Sequence, residues 1–148
     1  MKTQAKKKEE RITPKESIVA FSCKSKIGMK ELIEKARKAS KNGIFVLLLK
    51  ENKGITDRVL PSYLNAWVRI KDKNSRAESI HIETMLFIAG TFNISKAIQK
   101  CVATDRNKFM AVSNDRTFAE EFILKNNMEN VREVKLRFSY ANFFPMLE

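Results

Sequence analysis

Residues 44–50 read IFVLLLK, and only the last of the seven is charged. The run is far too short to span a bilayer. It is β-branched at Ile44 and Val46 and is bounded by KNG on one side and ENKG on the other, so it reads as a strand. Polar alternation is missing, so both faces of that strand need apolar cover. The expectation is a central strand with packing on either side. A chain that holds it must be layered, with helices laid on a sheet.

The flanking sequence supplies the layers. SIVAFSC, residues 17–23, has strand composition. In GMKELIEKARKASKNG, residues 28–43, Met29, Leu32, Ile33 and Ala36 recur at helical spacing, with Gly43 placed as the residue that ends the helix. PSYLNAWVRIKDKN, residues 61–74, is predicted to be a helix that begins at Pro61, a favourable first-turn residue. AESIHIETMLFIAG, residues 77–90, is apolar on nearly all sides in its second half, which predicts a buried helix. Asn93 is placed to cap a short helix from Ile94 to about Val102. KFMAVSND, residues 108–115, is a strand candidate, and Thr117 with Glu120 forms a capping box for a helix to about Asn127. VREVKLRFSY, residues 131–140, alternates with period two and predicts a strand with one wet face. The apolar, Pro-broken end ANFFPMLE is open between packing and partner binding.

The order is therefore β-α-β-α-α-α-β-α-β. It predicts an α/β (α+β) fold: a small mixed β-sheet packed with helices, as a single domain with a helical half. Residues 1–16 are Lys-rich and nearly without apolar side chains, so they read as a basic flexible tail ahead of a domain over 17–148. No apolar h-region follows the basic start and no apolar run approaches membrane length, so neither a signal peptide nor a membrane partner is expected.

Charge narrows the partners. The 148 residues carry a formal net charge of +12, which favours polyanions such as nucleic acid. Arg69, Lys71, Lys73 and Arg76 gather where one helix ends and the next begins, while Lys96 and Lys100 stand one turn apart. These six are candidates for phosphate contact; a solvated face is the plainer reading for any one of them. Tyr63, Trp67 and Phe92 are candidates for base stacking or for core.

Catalytic patterns are missing. His81 and Glu83 form an H-x-E, but the P-C-x-x-C that completes a zinc deaminase site does not follow, and His81 is the sole histidine. Cys23 and Cys101 form no CxxC and sit among apolar neighbours, so each reads as a small buried hydrophobe in a reducing compartment. Neither a P-loop nor a GxGxxG is present. The expectation is a protein without catalytic residues, metal or cofactor. Ile94, Ala97, Ile98 and Cys101 form a stripe at i, i+3, i+4 and i+7, suited to the sheet or to a protein partner.

IETMLFIAGTFNISKAIQK, residues 82–100, resembles the signature of the kinase-binding subunit of the KEOPS complex, the CGI/TPRKB family of PRPK-binding proteins. Members carry a Glu in the first helix and the run L-hydrophobic-x-A/S-G-x-x-Q/N-I-x-x-A-I. Here those places are Glu83, Leu86, Ala89, Gly90, Asn93, Ile94, Ala97 and Ile98. Leu64 and Ala66 fit an upstream L-x-A. Val102 stands where the family often has glycine. The resemblance implies a non-catalytic subunit that binds and stimulates the small atypical kinase/ATPase of KEOPS and meets the other subunits indirectly. It also implies help in recruiting tRNA, through the 3′ CCA end, for threonylcarbamoyladenosine modification. The expected location is cytoplasmic, and nuclear as well in a eukaryote. On this reading Ile94, Ala97, Ile98 and Cys101 form part of the kinase-docking face, while Met85, Leu86 and Ile88 are core. The alternative is a stand-alone RNA- or DNA-binding domain.

Overall fold

The computed structural model of the protein describes residues 18–75 and 77–137. Four strands, β1 (Val19–Lys24), β2 (Val46–Lys50), β3 (Phe109–Ser113) and β4 (Glu129–Val134), form one sheet in the order β2-β3-β1-β4. Among the described residues five helices occur, in chain order α1 (Met29–Ala39), α2 (Lys53–Lys71), α3 (Ile80–Ala89), α4 (Ile94–Cys101) and α5 (Arg116–Lys125). The nine expected elements are present in the expected order, in a single α+β domain.

Every neighbouring pair of strands is antiparallel, so the sheet is not mixed. β1 and β2 run the same way but β3 lies between them, and β3 and β4 are likewise separated by β1. The result is two interleaved split β-α-β units, the connectivity of a ferredoxin-like sheet. In the plain form β2 and β3 make a hairpin. Here α2, α3 and α4 are inserted between them.

That insertion explains IFVLLLK. Val46 and Leu48 face α1 and α5, packing with Phe21, Leu32, Phe109 and Phe122. Leu47 and Leu49 face the inserted helices, packing with Val59, Leu60, Leu86 and Ile88. All four are buried, as expected of a strand covered on both faces. It is an edge strand, however, and not a central one. Its outer rim is blunted by local cover. Ala103 N–H donates to Leu48 O at 2.9 Å, and Ser40 Oγ accepts from Val46 N–H at 3.0 Å.

Several local expectations change. α1 ends at Ala39, and Gly43 does not cap it. Asn42 (φ 56°) and Gly43 (φ 81°) are the two left-handed residues of a tight turn in which Lys41 and Ile44 exchange hydrogen bonds at 2.9 and 3.0 Å. α2 begins eight residues before Pro61, at Lys53, with Asn52 Oδ1 accepting from Ile55 N–H at 2.9 Å. Pro61 is interior and buried. The cap of α5 is Asp115, accepting from Phe118 N–H at 2.9 Å, and not Thr117. β4 starts at Glu129 and ends at Val134, earlier than the alternating run, and Val131 is exposed. The run's later residues Phe138 and Tyr140, the N-terminal tail and ANFFPMLE lie outside the described residues. Among the described residues no helix is long and apolar enough to cross a membrane.

Candidate functional site

The stretch 83–100 forms a buried helix, a glycine corner and an amphipathic helix. α3 is buried from Glu83 to Ala89 because α2, α4 and the sheet surround it. Gly90 ends it in the left-handed region, φ 69°, so that Gly90 and Thr91 N–H both reach Leu86 O, at 2.8 and 3.2 Å. Asn93 then caps α4, its Oδ1 accepting from Lys96 N–H at 3.0 Å. The corner is what turns α4 back across the end of α3.

α4 divides the four residues of the sequence stripe into two pairs. Ala97 and Cys101 point inward and are fully covered, at 1% and 0% exposure. Neither can touch a partner, which corrects the four-residue docking face. Their small side chains let α4 lie close to α3, and the Cys101 thiol is 3.9 Å from Met85 O. Burial pushes that thiol's pKa up, against the pull of Lys100, Lys50 and Arg58 nearby. Ile94 and Ile98 point outward at 43% and 41% exposure. They are one helical turn apart and make an apolar pair on the surface of a basic protein.

The six basic candidates do not form one patch. Arg69, Lys71 and Lys73 sit at the end of α2, and Arg69 reaches along α3 as far as Phe87. The Arg69 guanidinium lies 5.7 Å from the Phe87 ring and donates to Asn74 O at 3.3 Å. The Lys71 ammonium lies 4.7 Å over Trp67. Lys73 is exposed and left-handed, φ 60°. Lys100 holds the C-terminal end of α3, donating to Ala89 O at 3.1 Å. Lys96 is exposed on α4. Arg76 lies outside the described residues.

Two cations that sequence reasoning passed over belong with Lys100. Arg58 donates to Phe87 O at 3.3 Å, and Lys50 donates to Gln99 O at 3.0 Å. Both meet carbonyls in the last turn of a helix, where the macrodipole favours positive charge. The signal was obscured because Arg58 lies in the part of α2 that precedes Pro61.

The H-x-E does not assemble a metal site. Glu83 is buried and accepts from Ala77 N–H at 2.9 Å. His81 is half-buried with its ring 5.7 Å from that of Phe45, and burial holds its pKa below the ordinary value. Among the described residues no group of three or more His, Cys, Asp or Glu side chains could hold a metal ion. Tyr63 is core, while Trp67 and Phe92 are half-buried. No protein-family model matches the chain, and no curated protein matches it.

Proposed function

We propose that the protein is a non-catalytic, kinase-binding subunit of the KEOPS type. It binds and stimulates the small atypical kinase/ATPase, reaches the other subunits indirectly, and helps recruit tRNA for threonylcarbamoyladenosine modification. One observation carries the reading: within the stretch that resembles the family signature, α4 presents Ile94 and Ile98 to solvent, one turn apart. An apolar pair on a rigid, capped helix is suited to insertion in a partner's groove. The four-residue docking face shrinks to these two. The net charge of +12 suits tRNA, with Arg69, Lys71 and Lys73 at the end of α2 and Lys96 with Lys100 on α4. In this role the protein works in the cytoplasm, and in the nucleus too in a eukaryote.

The test is a pull-down with the KEOPS kinase subunit, wild type beside Ile94→Glu and Ile98→Glu. Both sites are exposed, so both variants keep the fold. Burying an unpaired carboxylate at an interface costs several kcal/mol, so each variant loses about a hundredfold or more in affinity. A folded Ile98→Glu that binds as well as wild type refutes the docking assignment. Wild type that ignores the kinase but binds RNA alone supports the stand-alone nucleic-acid reading instead.

A further inference from the structure

On the face of the sheet away from α4, α5 and β4 leave an apolar hollow of about 570 Å³. Phe21 of β1, Ile123 and Leu124 of α5, Met128 and Val131 of β4 line it. Leu124 stands at its rim with 77% of its surface exposed, and Val131 is 42% exposed. A lone exposed leucine is ordinary. An exposed leucine and valine beside a hollow that reaches Phe21, Ile123 and Met128 make a contiguous apolar patch, which calls for cover.

Charge narrows what covers it. The chain carries +12, yet residues 115–134 hold five carboxylates, Asp115, Glu120, Glu121, Glu129 and Glu133, against three cations, Arg116, Lys125 and Arg132. Most of these already have partners. Arg116 donates to both oxygens of Glu133, at 3.0 and 2.7 Å. Glu129 lies 3.8 Å from Lys26, Arg132 lies 3.6 Å from Glu51, and Asp115 caps α5. A polyanion meets no excess of cations here, and a basic partner meets carboxylates already neutralised. The described chain also departs from β4 on the opposite face, where Val134 and Leu136 pack with the cluster under the inserted helices.

A second copy suits this face. Its charge allows two strongly basic chains to approach here without the repulsion they meet elsewhere. Each copy brings both a protruding Leu124 and a hollow beside it, so a two-fold axis next to α5 seats each leucine in the other's hollow. Such self-complementarity is what a closed dimer requires. A ten-residue helix and a six-residue strand, about 15 and 20 Å long, give a small interface, so the association is weak.

We propose that the protein forms a homodimer through the α5–β4 face, with Leu124 of each copy inserted in the hollow of the other. The docking helix α4 stays free in both copies, so the dimer presents two of them.

Sedimentation equilibrium of the full chain from about 5 to about 500 µM reads the assembly. The average mass is expected to rise with concentration from that of one chain toward that of two. Leu124→Asp and Val131→Asp change exposed positions and keep the fold, as circular dichroism checks. Each weakens the dimer by about tenfold or more, because a carboxylate is desolvated in the contact, and Leu124→Met does not. Added NaCl tightens the dimer, because it screens the repulsion between two chains of +12 and spares an apolar contact. The mass of one chain at every concentration overturns the proposal. So does a dimer that both aspartate variants leave intact, or one that Ile94→Glu breaks instead. Leu124→Asp still binds the kinase on the reading above, so failure of the dimer leaves the docking assignment to its own test.

Discussion

Replacing Asn114 by alanine is expected to destabilise the protein by about 3 kcal/mol. The side chain joins two segments that are remote in sequence, accepting from Phe45 N–H at 3.0 Å and donating to Gly43 O at 2.7 Å. A neutral hydrogen bond contributes about 0.5–1.5 kcal/mol net. The larger part of the loss comes from the donor left behind. Phe45 is 1% exposed, so its N–H has little access to water once the amide is gone, and an orphaned buried donor costs about 1–3 kcal/mol. The turn through Asn42 and Gly43 would also lose its tie to β3. For a domain of this size the change corresponds to a fall of about 10 °C in Tm. Urea denaturation followed by circular dichroism measures it. Asn114→Asp separates the two bonds, since a carboxylate still accepts from Phe45 N–H but no longer donates to Gly43 O. Its second carboxylate oxygen would face Gly43 O as another acceptor, so it should be no more stable than alanine. An alanine variant within about 0.5 kcal/mol of wild type would show that neither bond matters and that the turn is held by its own backbone pair.

Leu86 of α3 is fully buried against the sheet and α2, so Leu86→Ala should cost about 3–4 kcal/mol in urea unfolding; a loss under 1 kcal/mol would mean that the core beneath α4 collapses to fill the space. His81 has a folded pKa below its unfolded value, so the unfolded chain binds the extra proton and stability falls as pH drops through that window. The urea midpoint of wild type should therefore decline from pH 7.5 to pH 5.5 more than that of His81→Gln, and parallel curves would contradict it. Burial raises both thiols, that of Cys23 to about 11. Ellman's reagent at pH 7 should leave them unreacted in the native protein and label two in urea; fast native labelling would show that α4 or β1 opens readily.

The order of elements was legible because amphipathic spacing and apolar runs survive without tertiary context. Met29, Leu32 and Ala36 mark α1 and are buried in the structure. What failed depended on neighbours. Pro61 considered alone favours a first turn over a helix interior, and only the Asn52 cap and the packing of Ile55 and Val59 extend α2 backwards through it. The apolar run at 44–50 reports that two faces are covered, but says nothing about which strands sit beside it. Gly43 and Asn42 resemble a helix stop until the bonded pair Lys41 and Ile44 shows a turn. In the candidate site, the i, i+3, i+4, i+7 stripe was real, yet it spans an arc wide enough to hold both an inner and an outer pair. Spacing alone cannot say that Ala97 and Cys101 go inward while Ile94 and Ile98 stay in water. The hollow beside Leu124 was less legible still, because Phe21 comes to it from β1, remote in sequence from α5 and β4.

The three-helix insertion also sets the order in which the chain can fold. β1 finds its partners only in β3 and β4, with Val19 opposite Ser113 and Ala20 opposite Val134. β2 likewise waits for β3. Such long sequence separations raise contact order and slow the search for the native state. During synthesis, β1 and β2 leave the ribosome without any strand to pair with until Phe109–Ser113 has emerged. The antiparallel pair α2 and α3 has its contacts close in sequence and can form in the interval. It then offers Leu47 and Leu49 an apolar surface before the sheet exists. Substitutions in that helix pair are expected to slow folding, and substitutions in β4 to speed unfolding instead.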